Sequence, residues 1–144
     1  MTFQNAFQNS EVQEALEQGL RALGQYSSLI QTDDTTGFEG SVDLDRALAR
    51  KYPNDNRWDY AFGHRSHIFY VEVHHVSDSQ VMVMIAKYRW LRNWISGQGQ
   101  PEELRLNSSY HWLSTGKGSL AKNSRYTRSL ASAGLDFPKK YLKV

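Results

Sequence analysis

Residues 57–75 read RWDYAFGHRSHIFYVEVHH, and the rest of the chain is interpreted around them. Side chains on a strand alternate between faces. That rule predicts a strand with Trp58, Tyr60 and Phe62 on one side and Asp59 and Ala61 on the other. Gly63-His64-Arg65-Ser66 reads as a turn, and Ile68–Val76 as a second strand. There Phe69, Val71 and Val73 share one face, while Tyr70, Glu72 and His74 share the other. An acid on one strand then meets an acid and an imidazole, two residues apart, on its neighbour. This pattern suits a small hard-metal site or an acid/base pair.

The remaining chain supplies a frame for such a hairpin. With 144 residues, 40% hydrophobic and 22% charged, it has the size and composition of a single globular domain with a real core. There is no cysteine, which removes disulfides, zinc–thiolate sites and thiol chemistry. The longest apolar run, Val81–Ala86, is far too short for a membrane span. Met1–Asn9 has neither a basic start nor an apolar stretch, so a soluble, cytoplasmic protein is expected.

Upstream, Val12, Ala15, Leu16, Gly19, Leu23, Tyr26 and Ile30 recur at helical spacing and predict one helix over Ser10–Ile30. Ser10 is its cap and Gln13 the capping-box partner. Thr32–Gly40 reads as a loop. Asp43 reads as the cap of a short helix, Leu44–Tyr52, or alternatively as an exposed acid with Asp45. Downstream, Ser77 or Asp78 caps a long helix, Ser79–Ser96, whose buried stripe is Val81, Met84, Ile85, Tyr88, Leu91 and Ile95. Val83, Trp90 and Trp94 widen this stripe. Gly97–Pro101 is a break, and Tyr110–Thr115 a strand parallel to Ile68–Val76. Ser124–Ala133 is a helix ended by Gly134, and Tyr141–Val144 a final short strand. The sum is α/β, or α+β by stricter bookkeeping: a mixed central sheet of about four strands flanked by helices.

Charge is unevenly spread. From Thr115 to Val144 seven Lys/Arg face one acid, whereas the other 114 residues carry ten Lys/Arg and fourteen acids. The basic end is either a polyanion-facing edge or a solvated surface.

An amphipathic helix, a strand hairpin carrying an acid and then Glu-x-His, a crossover helix and a further strand resemble the core of the restriction-endonuclease-like superfamily, written PD-(D/E)xK. Asp59 matches the first acid and Glu72-Val73-His74 the second motif, with His where the family usually has Lys. The resemblance covers roughly residues 10–115. It implies phosphodiester hydrolysis with Asp59, Glu72 and the Val73 carbonyl holding Mg²⁺ or Mn²⁺, for which oxygen ligands are suited. The resemblance makes Asp59, Glu72, His74 and Lys87 the catalytic candidates. His74 supplies no permanent positive charge at pH 7, so Lys87 or Lys117 would have to replace the family lysine. An acid of the first helix, Glu14, is a further candidate.

For a nucleic-acid partner, Lys117, Lys122, Arg125, Arg128, Lys139 and Lys140 are the candidate phosphate contacts. A homodimer or protein partner would be needed to cut both strands. The alternatives are a catalytically inactive member of the same fold that binds nucleic acid or protein, and an acid/base enzyme using Glu72 and His74. His64, His67, His75 and His111 are further ligand candidates without matched spacing for a histidine zinc site.

Overall fold

In a computed structural model, which describes residues 2–121 and 123–144, the acid-bearing stretch folds as an antiparallel hairpin. Its strands are β3, Tyr60–His64, and β4, His67–His75. Gly63 pairs with Ile68 and His64 with His67, so the connection is narrower than the expected Gly63–Ser66 turn. Only Arg65 and Ser66 turn the chain, with φ of 47° and 63°. Two positive φ angles give the hairpin turn whose twist matches its strands, although it favours Asn-Gly. Here Arg65 Nε donates to Asp34 Oδ2 at 2.9 Å and the Ser66 N–H to Glu39 Oε2 at 2.7 Å. These contacts offset the strain of two side chains in the left-handed region.

With β2, Phe38–Asp43, and β5, Ser108–Thr115, the hairpin forms a four-stranded sheet of order β2-β3-β4-β5. β5, Ser108–Thr115, runs parallel to β4 as expected and starts two residues earlier than Tyr110. The crossover is α3, Asp78–Ser96, followed by a short α4, Pro101–Arg105, which begins at the proline of the expected break. The expected α3 stripe Val81, Met84, Ile85, Tyr88, Leu91 and Ile95 is buried, as is Trp94, whereas Val83, expected to widen it, faces solvent. Ser77 occupies the position before α3 but its side chain accepts no helix N–H.

Edge strand β2, Phe38–Asp43, replaces part of the expected Thr32–Gly40 loop. A bulge between Phe38 and Gly40 interrupts its register, and Gly40 sits at φ 144°. That bulge removes the alternation by which a strand is recognised. Asp43 caps the next helix, its Oδ1 accepting from the Arg46 N–H at 2.9 Å. This helix, α2, is Leu44–Leu48, shorter than the expected Leu44–Tyr52.

The expected Ser10–Ile30 helix does not form. A helix α1 spans Thr2–Ala6, and only 3₁₀ turns occur at Gln13–Ala15 and Arg21–Leu29. Glu17 instead forms a bridge with Ser41, exchanging backbone hydrogen bonds of 2.8 and 2.9 Å. Gly19 and Gly24 lie at φ 51° and 55°, conformations that end a right-handed helix and cost glycine nothing.

At the other end, α5 is Arg125–Ala133, with Ser124 capping it and Gly134 left-handed beyond it. Strand β6, Leu142–Lys143, pairs in parallel with β1, Ile30–Gln31.

Two apolar layers sandwich the sheet. Trp58, Ala61, Tyr70 and Trp112 pack with α1, α2 and α3 on one face. On the other, Phe62, Val71 and Leu113 meet Leu23, Ile30 and Leu142. Trp58 therefore does not share a face with Tyr60 and Phe62 as expected. It precedes β3, where regular alternation does not hold.

Candidate active site

The β3–β4 register places Asp59, just before β3, opposite Glu72. The two residues clasp each other's strands. The Asp59 N–H donates to Glu72 Oε1 at 3.0 Å, and the Val73 N–H donates to Asp59 Oδ2 at 3.0 Å. The Asp59 carbonyl also accepts the Leu44 N–H at 2.8 Å, which ties the start of β3 to α2.

Above this pair, α3 delivers Lys87, whose Nζ lies 2.7 Å from Glu72 Oε2. His74, on the same face of β4, holds Nδ1 3.7 Å from the same oxygen. Its Nε2 lies 2.6 Å from Gln80 Oε1 in the first turns of α3. Its carbonyl accepts the Trp112 indole N–H at 2.9 Å. Although neighbours on a strand face opposite ways, His75 lies at the strand end. Its ring swings beside that of His74, with centroids 4.8 Å apart.

Burial controls the charge here. Glu72 is only 1% exposed. Burial pushes its carboxyl up to about 8, the Asp59 charge adds to this, and Lys87 opposes both. Asp59 is raised as well, again by burial first, against the pull of Lys87 and the Val73 N–H. The 2.7 Å contact favours an ionised Glu72, yet desolvation and the second acid outweigh it. Two carboxyls this close titrate as a pair that keeps one proton into the neutral range. Access runs along His74 and Lys87, whose side chains are 20% and 19% exposed.

Of the two lysines expected as stand-ins for the family lysine, Lys87 reaches Glu72. Lys117 is exposed in the loop after β5. Glu14 is not near the pair; it lines a separate cavity with Glu17, Arg21, Asp43 and Arg46. Gln80, which holds His74, was not foreseen. The signal was its place six residues after His74, across a tight strand-to-helix junction.

The basic candidates fall into two groups. Lys117, Lys139 and Lys140 are exposed at the C-terminal end of β5, where the Lys139 backbone pairs with Trp112 and Ser114. Arg125 donates to the Tyr126 hydroxyl at 2.8 Å and Arg128 to the Asn123 carbonyl at 2.8 Å, both at the start of α5. Lys122 lies outside the described residues.

Among the described residues no cluster of three or more His, Asp and Glu side chains is arranged to hold a metal. The donor set that is present, two carboxylates, still fits Mg²⁺ or Mn²⁺. Such ions commonly take one or two carboxylates and complete their shell with waters and phosphate oxygens.

Compared with family models, with curated proteins and with solved structures, the chain matches none. No helix among the described residues is long and apolar enough to cross a membrane.

Proposed function

We propose that the Asp59–Glu72–Lys87 centre serves metal-dependent hydrolysis of phosphodiesters in DNA or RNA, as the likeness to the restriction-endonuclease-like core implies. The observation that carries this is the Lys87 Nζ 2.7 Å from Glu72 Oε2, with Asp59 opposite. Two acids and a lysine from three elements thus reproduce the charge set of the PD-(D/E)xK motif without a lysine in the motif itself. Bound Mg²⁺ or Mn²⁺ would polarise a phosphoryl oxygen and acidify a water. Asp59 and Glu72 would hold the cation. Lys87 keeps a positive charge beside the developing negative one, and His74, fixed by Gln80, stands ready to accept a proton. Lys117, Lys139 and Lys140 contact the phosphate backbone.

The test is calorimetric titration with Mn²⁺ together with cleavage of plasmid, single-stranded DNA and RNA. Wild type should bind Mn²⁺ and cut at least one substrate, and Asp59→Asn and Glu72→Gln should do neither. Failure of wild type to take up Mn²⁺ or to cut overturns the reading. A second reading rests on the engagement of both Glu72 oxygens, by the Asp59 N–H and by Lys87. That is how a structural clasp looks in a nucleic-acid- or protein-binding module of the same fold. Salt-dependent binding without cleavage would favour it.

A further inference from the structure

On the opposite face of the sheet, the geometry points to a second chemical centre: Ser109 as a nucleophile, His111 as its general base and Asp136 as the group that orients the imidazole. Ser109 Oγ lies 2.7 Å from His111 Nε2. His111 Nδ1 lies 3.3 Å from Asp136 Oδ2, within reach though not aligned as a hydrogen bond. His67 Nε2 approaches Ser109 Oγ from the other side at 2.8 Å. A nucleophile touching a base that is itself held by a third group is the arrangement by which hydroxyls are activated. Catalytic hydrogen bonds are often loose before substrate binds.

The chain of contacts fixes the protons. Ser109 has one hydroxyl hydrogen, so it donates to one imidazole and accepts from the other. A carboxylate facing His111 Nδ1 requires that nitrogen to carry the hydrogen, because a lone pair there would be repelled. Nε2 is then the free acceptor for the Ser109 hydroxyl, and His67 Nε2–H donates to the same oxygen. His111 is buried, and burial lowers its pKa to about 4 against the pull of Asp136, with Lys139 and His67 acting in the same direction as burial. The imidazole is therefore neutral at pH 7, the form a base needs. Ser109 is only half-buried and Asp136 is exposed, so this side of the chain is open to solvent. The Phe69 ring, 4.3 Å from that of His67 and 5.8 Å from that of His111, forms an apolar wall.

The substrate class is a small activated carboxylic ester. Ser109 Oγ forms a bond to the ester carbonyl carbon while its proton passes to His111 Nε2. The carbon–alkoxy bond breaks, and the alkoxide leaves as an alcohol with that proton. Water then attacks the acyl-serine and gives a proton to His111. The Ser109 oxygen recovers it as the carboxylic acid departs.

The test is labelling of the folded chain with a fluorophosphonate, which reacts with activated serines, alongside turnover of p-nitrophenyl acetate. A single adduct mapping to Ser109 is expected, absent in Ser109→Ala. His111→Gln should slow labelling by about 100-fold or more. Asp136→Asn, a positioning change, should slow it by about tenfold and move the pH midpoint of labelling downward, a shift that a merely structural role would not produce. A chelator should leave every rate unchanged, which separates this centre from the carboxylate one. Wild type that stays folded yet labels no faster than Ser109→Ala overturns the assignment. So does an adduct on another serine, or a His111→Gln variant that folds and labels at the wild-type rate.

Discussion

The two faces of the sheet bury polar groups in opposite ways. On the α3 face, Glu72 and Asp59 are acids pressed into apolar surroundings with one ammonium group to serve them. On the other, His111, Ser109 and His67 form a hydrogen-bonded chain flanked by the exposed Asp136 carboxylate and by Lys139. Burial disfavours charge on both, raising the acids and lowering the imidazole. The first face is therefore short of positive charge, and the second leaves one imidazole nitrogen, His111 Nδ1, without a hydrogen bond.

The largest expected effect comes from removing the ammonium. Lys87→Met should destabilise the fold by about 2 kcal/mol, the scale for leaving a buried acceptor without its partner, read by urea unfolding. Adding Glu72→Gln should recover much of that loss. A double variant no better than Lys87→Met would mean that the clasp, and not its charge, sets the cost.

A pH series sharpens the contrast. Glu72 has a folded pKa raised from 4.5 to about 8. Its stabilisation is complete below 4.5 and is lost as pH climbs to about 8. His111 is lowered from 6.5 to about 4, so its contribution is present above 6.5 and is lost as pH falls toward 4. The two slopes oppose each other between 4.5 and 6.5. Above 6.5 only Glu72 remains, and stability should fall by about 1 kcal/mol per pH unit up to 8, near the limit for one proton. Glu72→Gln should abolish that fall, and His111→Gln should abolish the acid-side loss. The smallest effect is expected from Gln80→Ala, which frees His74 at a cost of about 1 kcal/mol; thermal unfolding measures it.

Legibility in the sequence followed the regularity of the elements. The α3 stripe, the parallel β5 and Gly134 at the end of α5 obey local rules and are readable. The span from Ser10 to Ile30 was not. Its apolar spacing fits a helix, but Gly19 and Gly24 take positive φ and Glu17 is claimed by β2. β2 itself was hidden by the Gly40 bulge. In the candidate site, the hairpin alternation brought Asp59 and Glu72 together on paper. Lys87 could be named but not placed, because its reach depends on how α3 lies across the sheet. Asp136 arrives at His111 from beyond α5, a contact that no local pattern announces.

The two-residue turn at Arg65-Ser66 also bears on kinetics. A loop that short closes within microseconds, whereas β5 docks only after α3 and α4 have crossed over, and non-local pairing is slow. Asp59 and Glu72 become neighbours before the amine reaches them. Until α3 covers them both carboxyls are open to solvent and ionise in the ordinary carboxylate range, so refolding after denaturant dilution should slow as pH is raised through about 4 and then level off.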